Sequence, residues 1–207
     1  MSEIVTSPNA INIEDACAYF SADKNEPDPA LIELFTQYPK NIDFVHVLLK
    51  VVTLNTLYST MIRVYSDHPT VYDVARHIVD LKIDSDLDLC SPELVRKISK
   101  IDKDKKTFYN YSFATKYCSF HRPESYPIYD SRVNEYLWHL RNLGGLKQFK
   151  RNVLYIYPEF KKIVDEFRDR YSLQAFTYKQ IDAFLFYEGG KLLKKESEAV
   201  PTLSVTD

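Results

Sequence analysis

The sequence is poor in glycine, and none occurs between Met1 and Leu143 in a chain of 207 residues. The four glycines form two pairs, Gly144–Gly145 and Gly189–Gly190. Folds rich in tight turns rely on glycine for backbone conformations that other residues avoid. The scarcity of glycine, together with long periodic apolar patterns, therefore predicts an all-α protein.

The chain also lacks a disulfide framework, a strong net charge and a membrane-spanning run. Its three cysteines, Cys17, Cys90 and Cys118, are widely spaced, which indicates a reducing compartment and does not suit a metal site. The net charge is only −2, so any surface for nucleic acid must be local. No signal peptide or apolar run of bilayer length is present. We expect a cytoplasmic monomer without membrane contact and without a metal or other cofactor.

What the sequence does contain is a succession of apolar stripes at helical spacing. Hydrophobic residues make up 45% of the chain, enough to bury a sizeable core. No repeat or clear linker divides these stripes, so we predict one helical domain over residues 27–193. A loosely structured segment, residues 1–26, is expected before it, with room for a short helix, and a disordered tail, residues 194–207, after it.

Several helix boundaries are predicted from local signals. Residues 41–65 form the most apolar segment, which predicts a helix buried on all sides. Thr70 and Asp73 have the spacing of a capping box at the start of another helix. The two glycine pairs are expected to stop the helices that precede them.

Residues 112–140 form the segment in which a catalytic site is most expected. Its sequence pattern predicts a helix, a proline-containing loop and a second helix. Asp130 stands directly before the second helix, where free backbone N–H groups and the positive end of the helix dipole keep a carboxylate ionised. Two interpretations are open. Asp130 is either a plain helix cap or a fixed carboxylate that stabilises a developing cation and orients water.

The sequence Pro127-Ile128-Tyr129-Asp130-Ser131-Arg132-Val133, after a helix with the sequence SFATKY, resembles the core of the helix-hairpin-helix DNA glycosylase superfamily. The 8-oxoguanine-glycosylase-like branches are the most similar. In that family a proline and an apolar pair precede an aspartate that opens the next helix. The resemblance implies a single compact helical domain of this type, acting on a modified base in double-stranded DNA. It also implies a catalytic role for Asp130.

Two departures from the family pattern refine this expectation. The family hairpin usually carries a glycine-x-glycine pair that holds a DNA phosphate, whereas here a degenerate hairpin is expected over residues 101–110. Bifunctional members carry a nucleophilic lysine at the position that corresponds to Tyr111. Lys106 and Lys116 are the nearby lysines retained as catalytic candidates, although each is out of register. The resemblance therefore implies a monofunctional glycosylase rather than a glycosylase/lyase.

Candidate DNA contacts lie in two places. Residues 96–116 form the most basic window, and Lys103 and Lys105 within it are predicted phosphate contacts; an ordinary solvated surface is the alternative. Asn55 and Tyr58, near the end of the apolar helix, resemble polar residues that the family presents to the gap opposite a flipped base. Asn55 has the alternative of hydrogen bonding within the core.

The remaining candidates surround Asp130 in the sequence. Tyr111 and Tyr129 are possible pocket walls for a flipped base, with core packing as the alternative. His121 is a candidate for proton transfer or, alternatively, a structural histidine. Arg132 belongs to the matched motif and is a candidate DNA contact.

Cleavage of an N-glycosidic bond builds positive charge on the sugar, which one fixed carboxylate can stabilise. The first hypothesis is therefore a glycosylase. The second is a nucleic-acid-binding module that keeps the scaffold without the reaction. The third is a helical protein-interaction domain, which the small net charge would suit.

Overall fold

The computed structural model describes residues 6–22, 28–64 and 67–199, without the side chains of residues 195–199. This part of the chain is mostly helical. The helices are α1 (Ala10–Ser21), α2 (Asp28–Gln37), α3 (Phe44–Leu57), α4 (Val71–Leu81), α5 (Asp84–Asp88), α6 (Glu93–Ser99), α7 (Tyr111–His121), α8 (Ser131–Asn142), α9 (Tyr157–Arg170) and α10 (Tyr178–Ala199). A short 3-10 helix, Arg151–Tyr155, precedes α9.

A contiguous apolar core runs through these helices. Helix α10 packs against α8 and α1, α3 packs against α4, and α6 packs against α7. The capping box predicted at Thr70 and Asp73 is confirmed, with both reciprocal hydrogen bonds present. Within the described ranges, no helix has the length and apolar character needed to cross a membrane.

The prediction of a mostly helical protein is confirmed, and one small β-hairpin separates α6 from α7. Strand β1 (Lys100–Lys103) pairs antiparallel with β2 (Lys106–Tyr109). Asp104 and Lys105 form the turn in left-handed conformations, with φ of 49° and 62°. Two such residues give a turn whose twist matches that of the strands. The glycine that normally marks this turn is missing, and the hairpin lies where the family resemblance implied a degenerate hairpin, over residues 101–110.

The prediction of a helix buried on all sides over residues 41–65 is also wrong. Helix α3 ends at Leu57, and only one of its faces is buried. Val45 and Leu49 are 61% and 45% exposed on the opposite face. Apolar residues on a surface are common, so an apolar composition alone does not establish burial. Residues 65–66 lie outside the described part of the chain.

The second glycine pair does not stop its helix, because α10 continues through Gly189–Gly190 to Ala199. A side chain on Gly189 would collide with the backbone of Arg132, so this glycine permits close packing rather than a helix end. Helix α10 thus extends past residue 194, where the tail was predicted to begin, and residues 200–207 lie outside the described part. The segment predicted as loose, residues 1–26, contains α1; residues 1–5 and 23–27 are outside the description.

Candidate functional site

Asp130 is the N-cap of α8, as its position in the sequence predicted. Its backbone is extended, and its Oδ1 accepts a hydrogen bond of 3.1 Å from the Arg132 N–H. Its second carboxylate oxygen, Oδ2, lies 3.3 Å from the Nζ of Lys116. The carboxylate therefore caps the helix with one oxygen and forms an ion pair with the other.

Lys116 lies in α7 and is almost completely buried, with 3% of its side chain exposed against 22% for Asp130. Its Nζ also donates to the Ser112 Oγ at 2.6 Å and lies 3.4 Å from the Tyr129 carbonyl oxygen. Ser112 and Lys116 are four residues apart and so share one face of α7. A buried ammonium requires a counter-charge and hydrogen-bond acceptors, and Asp130 supplies the charge.

A second group of polar residues lies beside this pair. The Tyr58 hydroxyl, at the end of α3, donates to Asp28 and accepts a 2.9 Å hydrogen bond from Lys179. Lys179 forms an ion pair with Asp28 at 2.8 Å. The Tyr58 ring lies 5.8 Å from the Lys116 Nζ and 5.7 Å from the Phe120 ring. Tyr58 thus links the Asp28–Lys179 pair to the Lys116–Asp130 pair.

Asp182 completes the site from α10, one turn after Lys179. Its Oδ1 is closed off from solvent and has no hydrogen-bond partner among the described residues. Burial raises the pKa of Asp182 to about 6. Lys179 and Lys116 oppose that shift, whereas the negative charges of Asp130 and Asp28 add to it.

We call these seven residues the Asp130 cluster: Asp28, Tyr58, Lys116, Phe120, Asp130, Lys179 and Asp182. They come from α2, α3, α7, α10 and the start of α8. The sequence predicts Asp130, Lys116 and Tyr58 as candidate site residues. It does not connect Asp28, Lys179 or Asp182 with Asp130. Both missed residues of α10 lie about fifty positions after Asp130, where no local spacing connects them.

Three of the lysines predicted for catalysis or phosphate binding, Lys103, Lys105 and Lys106, do not contact Asp130 in the described structure. Lys106 is exposed on β2, opposite Lys103, and makes no contact with Asp130 in the described structure. Lys105 is exposed in the hairpin turn. Lys103 forms an ion pair with Asp73 at 2.9 Å. Three further cations of the basic window are also paired: Arg96 with Glu93, Lys97 with Asp86, and Lys100 with Asp102.

Asn55 and His121 both have the structural role that the sequence analysis gave as the alternative to a functional one. The Asn55 amide holds the loop after α3, donating to the Ile62 carbonyl oxygen at 2.8 Å and accepting from the Ile62 N–H at 2.9 Å. His121 is buried, with its Nε2 3.3 Å from the Lys50 Nζ and 3.1 Å from the Asn41 Oδ1. Burial and the charge of Lys50 hold the pKa of His121 well below its usual value, so the ring is neutral.

Tyr111 and Tyr129 pack in the core rather than around an open pocket. Their rings lie 4.7 Å apart. The Tyr111 hydroxyl donates to the Leu154 carbonyl oxygen, and the Tyr129 hydroxyl accepts from Asn134. Burial raises the pKa of both phenols. Arg132 is exposed, and its guanidinium lies over the Phe186 ring at 4.2 Å.

A surface groove of about 900 Å³ lies elsewhere, between residues 147–153 and α9. Its walls carry both lysines and carboxylates, and it contains no member of the Asp130 cluster. Within the residues that the structure describes, no group of three or more His, Cys, Asp or Glu side chains is placed to hold a metal ion. The three cysteines are free.

Fold and site together define a mostly helical protein with a buried lysine–aspartate ion pair at the start of a helix. The family model HI_0787_N, described as an N-terminal domain, matches residues 12–125, more than half of the sequence, and the chain belongs to this family. The matched range includes Lys116 and ends before Asp130.

A protein of Haemophilus influenzae (strain ATCC 51907 / DSM 11121 / KW20 / Rd) is similar to this chain and carries the description "Uncharacterized protein". It is 36% identical over 142 residues, which is 68% of this chain and 65% of the relative. The chain thus spans less than two thirds of the length of that relative. No solved structure matches the chain.

Proposed function

We propose that the protein is a monofunctional DNA glycosylase that hydrolyses the N-glycosidic bond of a modified or damaged base in double-stranded DNA. The observation that supports this most is the Asp130 carboxylate, held by the Arg132 N–H and by the buried Lys116. A carboxylate fixed in this position stabilises the positive charge that develops on the sugar and directs water to the sugar carbon.

Lys116 has a positioning role in this proposal. An ammonium group that is paired with a carboxylate has no free electron pair with which to attack a sugar carbon. Its hydrogen bonds to Ser112 and Asp130 fix the orientation of the carboxylate before substrate arrives. Positioning of a charged group in advance avoids reorganisation during the reaction.

The order of elements also supports a scaffold of the helix-hairpin-helix glycosylase type. Helix α6, the β1–β2 hairpin and α7 are followed by the proline loop and by Asp130 at the start of α8. The exposed Lys105 and Lys106 are available for phosphate contacts that weaken with salt. A flipped base needs aromatic surface, and the Tyr58 and Phe120 rings lie next to the ion pair.

The test is a glycosylase assay on duplexes that each carry one modified base. Wild type is compared with Asp130→Asn and with Asp43→Asn as a matched control. Asparagine keeps the helix cap at either position, because Asp43 caps α3 through the His46 N–H just as Asp130 caps α8. We expect Asp130→Asn to lower the rate of excision by a factor of about 100 or more, with DNA binding retained. Asp43→Asn should excise at the wild-type rate.

A second candidate function, a non-catalytic nucleic-acid-binding module, is favoured by the hairpin. It lacks the family glycines, and Lys103 beside its turn is engaged with Asp73. Wild-type protein that binds duplex DNA at low salt but excises no base in the panel would establish this second function. Failure to bind DNA at all would leave the protein-interaction hypothesis.

A further inference from the structure

Asp182 has one carboxylate oxygen without a hydrogen-bond partner among the described residues. The residue is partly exposed, yet its Oδ1 is shielded from solvent and accepts no hydrogen bond from any described residue. A shielded carboxylate oxygen without a donor destabilises the native state. Polar groups of this kind are rare in folded proteins and concentrate at functional sites.

The two aspartates of the cluster have contrasting surroundings. Asp130 accepts hydrogen bonds from the Arg132 N–H at the start of α8 and from the Lys116 ammonium group. Asp182 has no donor at its Oδ1, which favours its protonated form. Where neighbouring carboxyl groups differ in this manner, one serves as the acid and the other stays ionised.

We propose that Asp182 donates the proton to the departing base, while Asp130 stabilises the sugar cation. The inference rests on the glycosylase function proposed above. As the N-glycosidic bond breaks, its electron pair moves to the base and the Asp182 proton transfers to the base. Water adds to the sugar carbon and releases one proton. That proton passes to solvent, and Asp182 regains one from solvent, so the products are the free base and an abasic sugar.

The charges that face Asp182 determine the pH range in which it acts. Lys179 lies on its own helix, Lys116 on α7, Asp130 before α8 and Asp28 on α2. Below about pH 6 the Asp182 carboxyl group is mostly protonated. Above that pH its protonated fraction falls tenfold for each unit of pH. Excision that depends on this proton should therefore be fastest in mildly acidic solution.

The test measures single-turnover excision between pH 5 and pH 9 with wild type, Asp182→Asn, Asp130→Asn and Glu188→Gln. Glu188 is a buried carboxylate of the same helix that is paired with Lys191, so Glu188→Gln is the matched control. We expect Asp182→Asn to slow excision by a factor of about 100 and to abolish the decline above pH 6. The loss should be greatest for bases that leave as the most basic anions, because these need the proton most.

The outcomes separate the two proposals. If Asp130→Asn is inactive but Asp182→Asn keeps the wild-type rate and pH profile, only the role of Asp182 is overturned. An equal loss for every base with an unchanged pH profile also overturns it, since that result indicates a structural effect. If wild type excises no base, both proposals fail. Carboxyl NMR on wild type provides a check without activity: an ordinary aspartate pKa for Asp182 contradicts the inference.

Discussion

Gly189 of α10 lies directly against the backbone of Arg132, so that a Cβ at this position would be 1.9 Å from the Arg132 carbonyl oxygen. Arg132 belongs to the first turn of α8, which Asp130 caps. This contact therefore packs α10, which carries Asp182, closely against α8, which Asp130 caps. Gly190, the next residue, has no such restriction, since its Cβ would lie 3.6 Å from the Arg132 side chain.

Substitution of the two glycines should have opposite effects on stability. Gly189→Ala forces α8 and α10 apart and should lower the free energy of unfolding by about 2–3 kcal/mol. Gly190→Ala meets an ordinary contact and gains helix propensity, so it should raise that free energy by up to about 1 kcal/mol. Urea denaturation of both variants measures the difference. Equal effects at the two positions would contradict the close helix contact.

Lys116 should not form a covalent adduct with an abasic site, because its Nζ is engaged in an ion pair with Asp130 at 3.3 Å and in a hydrogen bond to the Ser112 Oγ at 2.6 Å. Borohydride trapping on a duplex with an abasic site measures this directly, and we expect no protein–DNA band. A band that disappears in Lys116→Met would instead identify Lys116 as a nucleophile and the protein as a glycosylase/lyase. Lys106→Met, at the other candidate lysine, controls for adventitious trapping.

Lys50 should make stability depend on pH in alkaline solution. Its Nζ is buried and donates to the Tyr38 and Lys40 carbonyl oxygens and to the Asn41 Oδ1, at 2.7–3.1 Å. Burial lowers the pKa of Lys50 to about 8, while Asp84 opposes that shift. The unfolded chain then binds more protons than the native state between about pH 8 and 10.5, so this group's contribution to stability rises with pH there.

The measurement compares wild type with Lys50→Met by urea denaturation at pH 7, 8, 9 and 10. The difference in unfolding free energy between them should change in favour of wild type by about 3 kcal/mol across the full titration range. At pH 7 the variant should already be less stable, because the hydrogen bonds that Lys50 donates to the Tyr38 and Lys40 carbonyl oxygens and to the Asn41 Oδ1 are lost. A difference that is independent of pH would show that the Lys50 pKa is ordinary.

The hairpin turn should accept glycine with a gain in stability. Lys105 has a φ of 62°, which is unfavourable for a residue with a side chain. Lys105→Gly should raise the free energy of unfolding by about 0.5–1 kcal/mol. Lys106→Gly, within β2, should lower it by about 0.5–1 kcal/mol.

Both variants, Lys105→Gly and Lys106→Gly, also remove one exposed lysine of the hairpin. A salt-dependent loss of DNA binding in both variants would therefore assign phosphate contacts to the hairpin.

Helix beginnings could be predicted because capping depends on residues within a few positions of each other. Thr70 with Asp73 and Asp130 before α8 were each recognisable from their immediate neighbours. The ends of helices and the burial of their side chains were harder to predict from the sequence. Gly189 has the appearance of a stop signal, but its packing partner Arg132 is remote in the sequence. The Asp104–Lys105 turn lacks glycine, so the hairpin was expected from the family resemblance and not from a local turn signal.

The sequence by itself determined that the protein is mostly helical and that Asp130 caps a helix, since apolar periodicity and cap chemistry are local. Only the tertiary structure decided what surrounds that carboxylate. Lys116 and Asp130 are joined across a proline loop, and Asp182 reaches the same place from the last helix. Contacts between residues that are remote in the sequence depend on how the helices pack. Coulomb attraction and burial act between groups that are close in space, whatever their separation along the chain.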